Sequence, residues 1–217
     1  ANLGEDVTGT AVFATDASSQ DVFTAVEGEI GAYSYIPTIS STAGTPTTWS
    51  ITGLTIAGAS EAVYAGLGRA AYTLATWRDS DAPLYTRMAE LRQGTAAGLW
   101  AAFSRQGQSV DNLGHGVSGT ASRIDLGWDK RRDSWHYGIG ASYQSGSERY
   151  AYGHGTSQQG ALSAYALWQG TDGRYAGIVG RIGRLQSDLT TGSAKTSRTS
   201  SADSTAWGES LSAAYGF

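Results

Sequence analysis

Three histidines, His115, His136 and His154, lie about twenty residues apart, and His115 and His154 each sit between two glycines. Histidine chemistry means metal ligation or proton transfer. A zinc site needs three or four converging ligands, and the only pair here that loops on one rim could bring together is His115 and His154. The run Gly114-His-Gly-Val-Ser-Gly119 formally matches GxGxxG. A dinucleotide fingerprint also needs a strand before it, a helix after it and an acid about 20 residues on. Ser122–Asp129 reads as strand, so the run is expected to be a loop tip. Serines are abundant, but no GxSxG elbow and no triad spacing accompany them. The sequence nominates no catalytic, cofactor-binding or metal-binding residue, and no cofactor.

Composition says more about class than about chemistry. The chain has 217 residues, with 30 Gly, 3 Pro, 12 Tyr, 7 Trp and no Cys. That mixture suits an antiparallel β protein with interfacial aromatics, and it excludes disulfides and thiolate metal sites. The net charge of −4 is unevenly spread: residues 1–56 hold six acids and no base, and residues 94–217 hold nine acids and eleven bases. No basic stripe exists for a nucleic-acid backbone, so nucleic acid is set aside as a partner. The longest charge-free stretch, Ile30 to Ser60, is rich in Ser, Thr, Gly and Pro and cannot be a membrane helix. Any crossing of a bilayer must use strands.

The strongest pattern is alternation. From Trp135 to Gln144 one face reads Trp135, Tyr137, Ile139, Ala141, Tyr143, and the other reads His136, Gly138, Gly140, Ser142, Gln144. From Arg123 to Asp129, Ile124, Leu126 and Trp128 fall on one side, with Arg123, Asp125, Gly127 and Asp129 on the other. Period-2 alternation makes a sheet apolar on one side and wet on the other. Burying Arg123 and Asp125 in an apolar sandwich core would cost several kcal/mol per charge. A watery lumen removes that cost, which places Arg123, Asp125 and Arg181 toward a lumen and Ile124, Leu126, Trp128, Trp135, Tyr137 and Ile139 toward lipid. Trp128, Trp135, Tyr137, Tyr143 and Trp168 would then form girdles where lipid meets water; ordinary core packing is the alternative.

Three segments position these residues. Residues 1–56 read as short strands at Thr10–Phe13, Val22–Val26, Gly31–Ile36 and Trp49–Ile51, too short to bury a core of their own and expected to cap something upstream. Residues 57–93 change period: Val63, Leu67, Ala70 and Leu74 follow helical spacing, Ser60 is placed as N-cap, Asp81 and Pro83 restart the helix after a break, and Gly94 ends it. The charges Arg69, Arg78, Glu90 and Arg92 exclude lipid around this helix. Residues 94–217 divide into six strands, near 98–107, 118–129, 134–145, 158–169, 173–187 and 205–217. Their connections alternate between long polar stretches (Gln108–Val117, Gly146–Thr156, Ser187–Ser204) and tight turns (Lys130–Asp133, Gly170–Gly173).

Gly31-Ala-Tyr-Ser-Tyr35 followed by Trp49-Ser-Ile51 resembles the last rungs of a pertactin-like autotransporter passenger. Leu84-Tyr-Thr-Arg-Met-Ala-Glu-Leu-Arg92 and then Gly98-Leu-Trp100 resemble the junction where the pore helix meets the first barrel strand, with Arg87, Glu90, Arg92 and Trp100 as its marked residues. The six strands resemble the first half of an autotransporter β-domain. The resemblance implies an all-β fold with one pore helix: a short β-solenoid cap, a lumen-threading helix, and six strands of a normally twelve-stranded antiparallel outer-membrane β-barrel. It further implies secretion and display of the protein's own passenger domain. Location in the outer membrane of a Gram-negative bacterium follows, with residues 1–56 at the cell surface. So do outer-membrane lipid and the barrel-assembly machinery as partners.

Two features depart from the family pattern. Six strands leave two bare edges, as if the chain stopped at mid-barrel, and Phe217 reads either as an imitation of a terminal aromatic or, at least as well, as the end of a mid-barrel strand. Residues 58–93 contain no Asn, so self-cleavage through an Asn pair is not expected. Two rival readings stand beside the translocator: an outer-membrane pore or barrel enzyme without a passenger, and a soluble β-rich adhesin or binding domain.

Overall fold

Alternating residues draw most of this chain into extended structure, and the computed structural model is accordingly mostly antiparallel β with a short helical interlude. It describes residues 5–17, 23–44, 46–111, 116–193 and 198–216. The chain forms two compact units, residues 1–65 with 191–200, and residues 66–190 with 201–217.

In the first unit, β1 (Val7–Asp16), β2 (Gly28–Ile30), β3 (Tyr33–Thr42) and β4 (Thr47–Ala59) form one sheet in the order β1-β4-β3-β2. Every pairing is antiparallel. This corrects the expected β-solenoid, whose rungs would stack in parallel. The reason is local: Gly31, with φ 62°, closes a tight turn that folds β3 back on β2. The expected strand at Val22–Val26 is also not found. Residues 23–27 have no regular structure, and Val22 lies outside the described residues. Phe23 instead packs edge-on against Phe13 and against the buried Trp49, with ring centroids 5.1 and 5.3 Å away. β4 runs on to Ala59, and α1 (Glu61–Asp79) follows at once. Ser60 Oγ accepts from Val63 N at 3.4 Å and Glu29 Oε1 from Glu61 N at 2.6 Å, so hydroxyl and carboxylate satisfy two free donors of the helix start.

The second unit holds the rest of α1, α2 (Ala82–Arg92) and six long strands, apart from residues 191–193 and 198–200 of the last two. These are β5 (Leu99–Val110), β6 (Val117–Arg132), β7 (Trp135–Tyr150), β8 (Gly153–Gln169), β9 (Tyr175–Ser193) and β10 (Arg198–Gly216). Neighbours in sequence are neighbours in the sheet, which is open, with β5 and β10 at its edges. Two of the three stretches read as long polar loops, Gly146–Thr156 and Ser187–Ser204, are largely strand among the described residues, whereas β5 ends at Val110 and β6 begins at Val117. Between β7 and β8 the ladder continues through Gly146↔Ser157 and Glu148↔Gly155 to Tyr150↔Gly153, leaving two residues of turn. Both faces of these extensions are polar, so hydropathy alternation fades while the backbone pairing persists. His154 lies here, exposed near the start of β8; His115 and Gly114 fall outside the described residues, and β6 follows Gly116 where a dinucleotide site would need a helix. Phe217 also falls outside them.

Helix and sheet meet over a core of Leu84, Met88 and Leu91 from α2 with Tyr165, Leu167 and Val179 from β8 and β9. α1 meets the sheet differently. Its buried positions in this unit are Gly68, Tyr72 and Thr76, one per turn, while Leu67 and Leu74 of the apolar stripe are exposed. A Cβ at Gly68 would stand 2.7 Å from Val117 Cγ2, so close approach selects glycine there.

The extended β7–β8 arm predicts amide-exchange protection continuing through Ser147 and Thr156. Exchange there at the rate of an unpaired loop would contradict the ladder.

Candidate functional site

The described geometry converges on the place where α2 ends and β5 begins. α2 stops in a Schellman turn: Thr95 N donates to Glu90 O at 3.0 Å and Gly94 N to Leu91 O at 3.2 Å, with Gly94 at φ 96°. The chain then doubles back, and Arg87 holds the return by donating from Nη2 to Ala96 O at 3.0 Å.

Asp129 is the centre of this junction. Its side chain is fully buried, and it accepts four hydrogen bonds: Arg87 Nε at 2.8 Å, Arg87 Nη2 at 3.2 Å, Gly98 N at 2.8 Å and Tyr165 Oη at 2.8 Å. Trp100 Nε1 in turn donates to Tyr165 Oη at 3.0 Å. One carboxylate thus ties α2, the connecting turn, β6 and β8, and a planar guanidinium meets it with two nitrogens. The hydrogen bond to Asp129 raises the Arg87 pKa above its ordinary value, while burial acts against it. Glycines make room for the aromatic partners: an added Cβ would fall 2.4 Å from the Trp100 ring at Gly127 and 2.1 Å from the Tyr165 ring at Gly138. Glu90 pairs with Arg87 at 3.3 Å, and the Arg92 guanidinium lies 3.4 Å from the centroid of Tyr175. Of the four junction residues marked by sequence, Arg87, Glu90 and Trp100 are joined through Asp129 and Tyr165, while Arg92 packs separately on Tyr175.

A second polar cluster lies at the break between the helices. Asp81 occupies the N-cap position of α2, but its side chain makes no cap. It forms an ion pair with Arg181 at 3.2 Å and accepts from Ser212 Oγ at 3.1 Å. Arg181 donates to Trp77 O at 2.7 Å and stacks on the Trp77 ring, 3.9 Å from its centroid. Arg123 and Asp125 are buried on the same face and pair with each other, Nε to Oδ2 at 2.8 Å, rather than with the helix. Between α1 and the sheet, Tyr72, Thr76, Gln144, Ser157 and Gln159 line a cavity of about 20 Å³, the size of a single water. Burial, with the Glu148 charge adding to it, raises the Tyr72 pKa.

Across β5 to β8 the opposite face of the same sheet is apolar and open, whereas on the edge strand β10 it carries Glu209 between Trp207 and Leu211. Ile124, Leu126, Trp128, Trp135, Tyr137 and Ile139 are all 41–60 % exposed. Tyr143 is exposed too, so four of the five girdle aromatics lie open, while Trp168 is half-buried. Pairing keeps the apolar positions side by side: Phe103↔Ile124↔Tyr143, Ala101↔Leu126↔Ala141↔Leu162, and Trp128↔Ile139↔Ala164. The result is a continuous band. It ends at Lys130 and Arg132 toward the short turns and at Arg105, Ser145 and Gln158 toward the polar arms.

Sequence reading missed Tyr165, Tyr175, Trp77 and Asp81 as partners. Asp129 carried a signal, since it continues the inward series Arg123, Asp125, Gly127. His136 is buried on the helix-facing side and His154 is exposed near the far turn of β8, so the structure does not bring these two together. No family model, no curated protein and no solved structure matches the chain.

Removing one member of the buried Arg87–Asp129 pair leaves a charge without a partner. D129A is expected to lower stability by about 3–5 kcal/mol in denaturant unfolding, and the double variant R87M/D129L to recover most of it. An unaltered unfolding midpoint in D129A would show that the junction is not held this way.

Proposed function

We propose that the chain is the outer-membrane translocator part of an autotransporter: an end of the passenger, a helix that threads the pore, and six strands of the barrel wall. One observation carries the reading. The sheet is inverted relative to a water-soluble protein, because the face covered by helices bears Arg123, Asp125, Asp129 and Arg181, and the uncovered face bears the apolar band. A soluble fold buries the greasy side and solvates the charges. A barrel in lipid does the reverse, with a polar lumen inside and an apolar surface outside.

The dimensions support it. Trp135–Tyr143 and Gly160–Trp168 each cross the band in nine residues, against the roughly 9–11 of a tilted membrane strand. Among the described residues no helix is long and apolar enough to cross a membrane, so the strands carry the crossing in this reading. The Asp129 network then anchors the helix at the periplasmic rim, beside the short turns. The polar arms of β7 and β8 stand clear of the bilayer on the outside, and the remaining wall pairs with the edges of β5 and β10.

The double variant I124K/L126K tests lipid facing. Each lysine at mid-bilayer costs about 2–4 kcal/mol. An epitope fused ahead of residue 1 is expected to reach external protease in Gram-negative cells carrying the parent chain in its native gene, and to be lost from the surface in the variant. Normal display by the variant would contradict the reading.

A further inference from the structure

The band has two borders, and they differ. Toward the short turns, β6 ends in Lys130-Arg-Arg132. Lys130 and Arg132 fall on the same face as Trp128, are exposed, and stand directly across the ladder from Tyr137 and Trp135. Neither has an ion-pair partner among the described residues. Arg131 is turned back, donating to Asp133 O at 3.3 Å, and the nearby Arg174 is engaged by Asp172 at 3.3 Å. On the other border the outward positions next to the band are Arg105, Ser122, Ser145, Gln158 and Arg184, so the two cations there are separated by three strands whose border positions are uncharged.

We infer that the turn-side rim, through Lys130 and Arg132 beside Trp135 and Tyr137, binds the head groups of anionic phospholipids. This rests on the membrane reading above and adds the class of lipid. The long stems of both cations can lie along the aromatic rings while their charged ends reach the phosphate level. The rings themselves stack at 5.8 Å and form a fixed platform. Two adjacent free cations continuous with an apolar band are complementary to a negative surface, where each contributes about fivefold in partitioning.

The test is partitioning of the refolded chain into vesicles, followed by the blue shift of tryptophan emission. One set contains phosphatidylcholine alone; the other has phosphatidylglycerol as a quarter of the lipid. The parent is expected to prefer the anionic vesicles, and high salt to erase the preference. K130Q/R132Q is expected to lose roughly 25-fold on anionic vesicles and nothing on phosphatidylcholine, which also shows that the variant folds. R105Q/R184Q is expected to keep the preference. Equal partitioning of the parent into both vesicles, or a preference removed by R105Q/R184Q instead, would overturn the inference while leaving the membrane reading in place. Failure to enter either vesicle would overturn that reading and the inference with it.

Discussion

Asp129 sits where four pieces of chain must agree. Its carboxylate is sealed from water and takes its hydrogen bonds from α2, from the turn before β5, and from β8 across the neighbouring strand. A buried carboxylate is tolerated only when its lone pairs are filled and a cation stands against it. Arg87 supplies the cation, and it can do so only if α2 ends at Gly94 and the chain turns back at Ala96. Trp100 and Tyr165 complete the arrangement over Gly127 and Gly138, where any side chain would collide with the rings. Helix placement, strand register and the entry into the sheet are therefore solved together. The apolar core of Leu84, Met88 and Leu91 then packs in a position the charges have chosen.

The inverted polarity of the sheet follows the same logic at larger scale. Residues facing α1 are mainly glycine, serine, glutamine and paired charges, with Val117 and Tyr150 against Gly68, and these accept a helix whose contact stripe is Gly68, Tyr72 and Thr76. Such an interface gains little from the hydrophobic effect and is fixed by hydrogen bonds, as at Thr76 to Gln108 and Gln159 to Ser80. Near α2 it becomes dry. The helical segment is thus clamped at one end and held along the other by polar contacts, while the apolar surface of the sheet remains on the outside.

Much of this was legible in residue order. Alternation from Trp135 to Gln144 gives both faces of β7, and the Ser60, Pro83 and Gly94 signals bracket the two helices. Long polar connections were misread for a physical reason: in the arm beyond the band the outward face meets water and the buried face is polar too, at Gln144, Glu148 and Gln159, so hydropathy stops alternating although the ladder continues to Tyr150↔Gly153. The parallel solenoid expected for residues 1–56 gave way to an antiparallel sheet because one glycine turn reverses the chain. Helical spacing located α1 through Val63, Leu67, Ala70 and Leu74, yet Leu67 and Leu74 are exposed. The usual rule that the apolar stripe faces the partner fails when the partner is a polar sheet. Asp81 was read only as a helix restart and Tyr165 was given no role, since each finds its partner, Arg181 or Asp129, many positions away.

The central claim is that one face of this sheet is built for lipid and the other for a hydrated interior. The most direct measurement is a spin-label scan along Trp135–Gln144 in lipid bilayers, recording collisions with oxygen and with a water-soluble nickel chelate at every position. The account predicts a two-residue period, with labels at 135, 137, 139, 141 and 143 reached by oxygen and hidden from nickel, and the even positions shielded from oxygen. Nickel access at the odd positions, or no period at all, would contradict it.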